Sequence, residues 1–194
     1  IMEVAPFGAF ALIAVMAGTQ GVLALLDVLT LALAVVLACL IHVLVVHGSM
    51  MKLVLKLNPA NFFRGARSAM LVAFSTSSSS ATLPVTMTVA EEKLGIQPVV
   101  ASTVLPLGAT INMDGTALYV GIVSVFGAQA FGIELGLADY VMMAGATTLV
   151  SVGTAAVPGA SLFLMAAVMD TIGMTPAQIA MIVGFILPFD RPLD

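Results

Sequence analysis

Residues 112–116, Asn-Met-Asp-Gly-Thr, set an ionisable carboxylate and a helix-breaking glycine inside a long apolar stretch. Apolar residues dominate on both sides, over 99–107 and 117–126. A carboxylate at such depth in a membrane costs roughly 2.5–3.5 kcal/mol on insertion scales unless something offsets it. A bound cation or a polar cavity is the usual offset. Hard cations such as sodium take oxygen ligands, and the chain supplies several. Asp114 offers charge, Asn112 a neutral side-chain oxygen, and unwinding around Gly115 would free main-chain carbonyls, for example those of Gly108 or Thr110. Ser151 and Thr154 could add hydroxyl or carbonyl oxygens. The structural alternative for Asp114 is an N-cap on a half-helix beginning near Gly115, a role compatible with sharing a cation.

The elements that must position these residues are apolar helices. Of 194 residues, 61% are hydrophobic and 8% charged, and the mean hydropathy is +1.18. Soluble domains carry about 25% charged residues, so this composition predicts a membrane protein with the lipid bilayer as its solvent. The net charge of −4 and the lack of a basic stripe argue against nucleic acid. Cys39 is alone in an apolar run, which excludes a disulfide framework and reads as a buried structural thiol. Ile1, followed by Glu3, does not resemble a secretory signal, and Asp194 arrives without a stop pattern. Both ends read as cut, so the expectation is a fragment of a longer protein.

Residues 7–26 and 29–46 are each about long enough to cross ~30 Å of hydrocarbon. Lys52, Lys56, Arg64, Arg67 and Lys93 then cluster, which places residues 52–67 and 91–93 on the cytoplasmic side. The intervening residues 69–90 therefore start and end on one side. They are too short for two spans and carry serines and Pro84 at their centre, which predicts a hairpin that dips in and returns. A serine-rich linker is the alternative, disfavoured by the apolar residues flanking the serines. A broken span over 98–131 follows. Residues 140–168 then repeat the design around Ser151-Val-Gly-Thr-Ala-Ala-Val-Pro158, with Glu134, Asp139 and Asp170 at the flanks. Aligning Pro84 with Pro158 sets Ser80 on Thr154, Ala81 on Ala155 and Leu83 on Val157. Asn112 and Asp114 follow the first hairpin as Asp190 follows the second. An inverted repeat of interrupted helices, with binding residues near the midplane, is a recurrent signature of secondary transporters.

Half-helix N-termini inside a membrane attract substrate carboxylates. The tips near residues 77–80 and 155–158 would place free N–H groups where an anionic headgroup could sit. Any single serine there could equally cap its own helix. Asp194 could hold a substrate ammonium or pair with Arg191 three residues earlier, and the physics leaves the two even. His42 and His47 read as interfacial or packing residues.

Three motifs carry a resemblance. Ser78-Ser-Ser-Ala-Thr-Leu-Pro84, Asn112-Met-Asp-Gly-Thr116 and Gly153-Thr-Ala-Ala-Val-Pro-Gly159 stand in the order and spacing of the glutamate transporter family, the dicarboxylate/amino acid:cation symporters. The resemblance runs over nearly the whole chain from Ala5-Pro-Phe-Gly8. It implies an all-α membrane protein with two re-entrant helical hairpins, a broken helix and an inverted repeat. A scaffold-type transmembrane helix would occupy 1–26 and a transport core 27–194. The core would hold hairpin one at 66–92, the broken helix at 98–131, hairpin two at 138–172 and the start of a last helix. It further implies a multi-pass protein of the cell (inner) membrane, a homotrimer, and an elevator mechanism with hairpin two as outer gate.

The family's roles carry over by motif. Ser77, Ser78, Ser79, Thr116, Val157 and Asp194 match substrate-binding positions, with Asp194 on the substrate amine. Gly108, Asn112 and Asp114 match sodium ligands, Asn112 and Asp114 serving different ions. Thr110, Ser151, Val152 and Thr154 match a further sodium site beneath hairpin two. Ser77 stands where some prokaryotic members have an arginine, and Ala156 where glycine is common. The arginine that reads an acidic side chain would lie beyond Asp194. The resulting expectation is a sodium-coupled symporter of amino acids, acidic ones first, and no enzyme. A proton-coupled dicarboxylate carrier or a neutral amino acid symporter is the near alternative. A passive anion channel, or an intramembrane hydrolase using a serine of 75–80 with His42 or His47, is the remote one.

Overall fold

A computed structural model describes residues 24–157 and 159–187, together with Ala11, Ala14 and Gly18. These residues are helical throughout, with no strand among them. Helix α1 spans Ala24–Ile41 and continues through two π-helical stretches, His42–His47 and Met50–Val54. Then come α2 (Pro59–Thr76), α3 (Ser79–Glu92), α4 (Pro98–Ile111), α5 (Asp114–Ala130), α6 (Leu137–Gly153), α7 (Ala160–Thr171) and α8 (Pro176–Ile186). Two stretches, Leu26–Val54 and Pro98–Ala130, are long and apolar enough to cross a membrane.

Helix starts follow local chemistry. Asn58 caps α2, its side chain accepting from the Ala60 N–H at 2.9 Å, with Pro59 in the first turn, where a missing N–H costs nothing. Thr175 and Gln178 form a capping box on α8, again followed by proline. Gly173, at φ 78°, turns the chain between α7 and α8 in a conformation that L side chains resist.

The core is built around α5. Its Tyr119, Val120 and Val123 are fully buried against Leu31 and Val35 of α1, Met143 and Val150 of α6, Met165, Val168 and Met169 of α7, and Ile182 and Ile186 of α8. Close approach of α8 depends on Gly127, where a Cβ would stand 3.2 Å from Ile182. The α2–α3 pair packs on itself and reaches α4 through α3. Outward faces stay apolar: Phe74, Leu137 and Phe163 are each more than 80% exposed. Such exposure is the face a bilayer covers and water does not.

Several expectations shift. The span drawn at 29–46 runs on to Val54, so Lys52 lies within the helix, its four-carbon stem long enough to carry the charge outward. The first helical pair begins at Pro59, which puts Arg64 and Arg67 on α2 itself. The break expected over 112–115 is confined to Asn112 and Met113. Residues 1–10, the expected scaffold helix up to residue 23 apart from Ala11, Ala14 and Gly18, Pro158, and Asp190, Arg191 and Asp194 lie outside the described residues.

Candidate substrate and cation site

Two inter-helix tips and the break between α4 and α5 meet around one cavity of about 520 Å³. Ser77, Ser78 and Ser79 line it from the α2–α3 tip. Met113 and Thr116 line it from the break, and Thr154, Ala155, Ala156 and Val157 from the α6–α7 tip. Cys39 and Val43 of α1 and Phe74 of α2 close the apolar side.

The first tip is tight. Ser77 adopts the left-handed conformation (φ 46°, ψ 39°) and its N–H returns to the Ala73 carbonyl at 2.9 Å, ending α2. Ser78 caps α3, its Oγ accepting from the Ala81 N–H at 3.2 Å. Only these two residues leave the helices. Ser75 and Thr76 belong to α2 and donate back to the carbonyls of Leu71 and Val72 at 2.7 and 2.9 Å. The capping alternative weighed for these serines therefore holds for Ser78. Within α3, Pro84 has no N–H to give the Ser80 carbonyl, which loses its helical donor.

The second tip is open. Residues 154–157 are extended or bent, and the Val157 N–H closes a three-residue turn onto the Ala155 carbonyl at 2.8 Å. The tips are joined through the Ala156 carbonyl. The Ala156 carbonyl oxygen accepts from Ser78 Oγ at 3.0 Å and from the Ser80 N–H at 3.2 Å.

Around the break, helix ends of opposite polarity face the same region. α3 and α5 begin there and α4 and α6 end there, so free N–H groups and free carbonyls are both presented. The N-cap of α5 is Met113; Asp114 is its first residue and does not cap. Its Oδ2 instead lies 3.2 Å from His42 Nε2, an ion pair when the imidazole is protonated. Asn112 is exposed, and its main-chain N–H bonds to the Gly108 carbonyl at 3.1 Å, closing α4. The hydroxyls of Thr110, Ser151 and Thr154 donate back to Leu107, Thr148 and Val150. Those bonds use the hydroxyl protons and leave the oxygen lone pairs, along with the carbonyl oxygens at the helix C-termini, for a cation. Val152 is half exposed on the last turn of α6.

Sequence reasoning missed His42. Under α-helical periodicity, five residues amount to about 140° of rotation between His42 and His47. The π-helical winding, with i→i+5 bonding, brings the two onto one side facing α5 instead.

The model of the Sodium:dicarboxylate symporter family matches residues 1–194. The chain belongs to that family. It is 42% identical over 164 residues to Excitatory amino acid transporter 3 of Mus musculus, covering 84% of this chain and 31% of that protein. It is 38% identical over 171 residues to Excitatory amino acid transporter 2 of Homo sapiens, covering 86% and 30%. It is 39% identical over 198 residues to an Excitatory amino acid transporter of Caenorhabditis elegans, covering 98% and 38%. The chain thus spans about a third of the length of these family members. Of the residues singled out from the family motifs, Ser77, Ser78, Ser79, Thr116, Thr154 and Val157 share the cavity wall. Gly108, Asn112 and Asp114 gather at the break, Thr110 and Ser151–Thr154 end α4 and α6, and Asp194 lies outside the described residues.

Proposed function

We propose that this chain is the substrate- and ion-binding core of a sodium-coupled amino acid symporter, with acidic amino acids as its first substrates. One observation carries the reading: a single cavity walled by the first turns of α3 and α5 and by the open Thr154–Val157 tip. The N-termini of α3 and α5 suit a substrate carboxylate. Ser78 and Ser79 would receive it from one side, Thr116 from the other, and the Val157 main chain would cover it. Asp194 is assigned to the substrate amine by family motif alone. The Sodium:dicarboxylate symporter family match, with relatives named as excitatory amino acid transporters, favours sodium-coupled amino acid transport over the proton-coupled alternative.

Coupling follows from charge. Asp114 begins the helix whose first turn carries Thr116. An unneutralised carboxylate there repels a substrate carboxylate by about 3 kcal/mol at ~6 Å and an effective dielectric of about 20. Sodium held by Asp114, Asn112 and the Gly108 carbonyl would remove that repulsion. It would raise substrate affinity by roughly 100-fold, and substrate would tighten sodium by the same factor. A second ion at the carbonyl ends of α4 and α6 (Thr110, Ser151, Val152, Thr154) would order the open tip, lowering the cost of closing it. The re-entrant reading of the two helical pairs, the inverted repeat, the homotrimer, the inner-membrane location and elevator movement belong to the same proposal, on the strength of the family motifs. In the full-length protein reconstituted in vesicles, Asp114→Asn is expected to cut sodium-driven uptake at least 100-fold. Uptake with unchanged sodium dependence would overturn the assignment.

A further inference from the structure

We propose that His42, His47 and Asp114 form a binding site for a divalent transition-metal ion, with zinc as the fitting probe. One ligand atom from each residue lies within 4.8 Å of the other two. The His42 and His47 rings meet edge-on, centroids 5.0 Å apart at 73°. His47 Nδ1 is buried with no hydrogen-bond partner among the described residues, an orphaned polar atom on a ring that meets the His42 imidazole. Buried polar atoms without partners are uncommon and point to an unmet ligand.

Chemistry selects the ion. Sodium, calcium and magnesium want oxygen alone, whereas two imidazoles and one carboxylate suit zinc, with water completing a tetrahedron. Ligand atoms on a tetrahedral zinc stand about 3.3 Å apart, from bond lengths of roughly 2.0–2.1 Å. His42 Nε2 and Asp114 Oδ2 already stand at 3.2 Å. The His47 leg has to close by at most about 1.5 Å, within reach of a side-chain rotation. The site is accessible: His42 is 24% and Asp114 36% exposed, and Val43 beside His42 and Met113 beside Asp114 both line the cavity. The winding of α1 makes the site, because only i→i+5 bonding puts both histidines on the Asp114 side.

Zinc bound there would occupy the Asp114 carboxylate and so antagonise sodium, a consequence that rests on the sodium role proposed above for Asp114. The two claims separate in one experiment on the purified full-length protein, free of any polyhistidine tag. In sodium-free buffer, Co²⁺ is expected to bind once per chain with the intense visible absorption of a four-coordinate ion, and to be displaced by Zn²⁺. His42→Ala and His47→Ala should each weaken Zn²⁺ binding at least tenfold. His47→Gln, which keeps bulk and polarity, guards against a folding defect, and a Zn²⁺-dependent rise in the wild-type melting temperature gives a second readout. Binding of wild-type strength in the histidine variants, or no Co²⁺ spectrum and no thermal shift in the wild type, overturns the site. Loss of binding in the variants with Zn²⁺ affinity unmoved by NaCl upholds the site and removes Asp114 from the sodium set instead.

Discussion

The two tips that face the cavity share a sequence pattern and differ in structure. Ser80-Ala-Thr-Leu and Thr154-Ala-Ala-Val align as hydroxyl, alanine, any residue, aliphatic. In the first pair this pattern lies in the opening turns of α3, and in the second it lies between helices, after the end of α6. The difference comes from what precedes each pattern. Ser77 turns left-handed and Ser78 caps at once, so the helix starts early. Gly153 ends α6 just before Thr154, and α7 waits for the left-handed Gly159. One tip is fixed by its own hydrogen bonds; the other leans on the first through the Ala156 carbonyl. In the proposed transporter, the first tip would be the wall that stays and the second the wall that moves.

The largest expected effect is in amide hydrogen exchange. Without sodium, residues 155–157 should exchange about 100-fold faster than residues 81 and 82, a gap worth roughly 2.7 kcal/mol of local opening. Sodium with substrate should slow residues 155–157 and leave residues 81 and 82 unmoved. Equal protection of both tips would break the comparison. Next is Ser78→Ala, which removes an N-cap and one bond between the tips. It should cost about 2 kcal/mol in all, read as a lower melting temperature and weaker substrate binding by titration. Ser78→Thr keeps the hydroxyl and should restore most of both.

Much of this arrangement was legible in the chain. The carboxylate of Asp114 in an apolar run, the prolines at 59, 98 and 176 and the serine-rich tip all marked helix ends, because caps and breaks are written in local residue types. Residues brought to one wall, Ser78, Thr116 and Val157, were reachable only through motif order, since their meeting is a long-range event. The His42–Asp114 pair was not legible at all. Its signal is the change from α to π winding along α1, and the run from 42 to 47, His-Val-Leu-Val-Val-His, contains neither proline nor glycine to announce it. The alignment of the tips misled about local structure for a related reason: four matching residues do not carry the cap that decides where a helix begins.

The bond between the tips has one further property. Its acceptor is a peptide oxygen, so nothing attached to the Cα of residue 156 creates or destroys it. Replacing Ala156 by glycine or a larger residue changes how the neighbouring chain flexes but leaves the latch atom in place. Selection can therefore tune the stiffness of the movable wall at this position without ever unfastening it; a backbone ester following residue 156, which weakens that oxygen as an acceptor, is the kind of change that would.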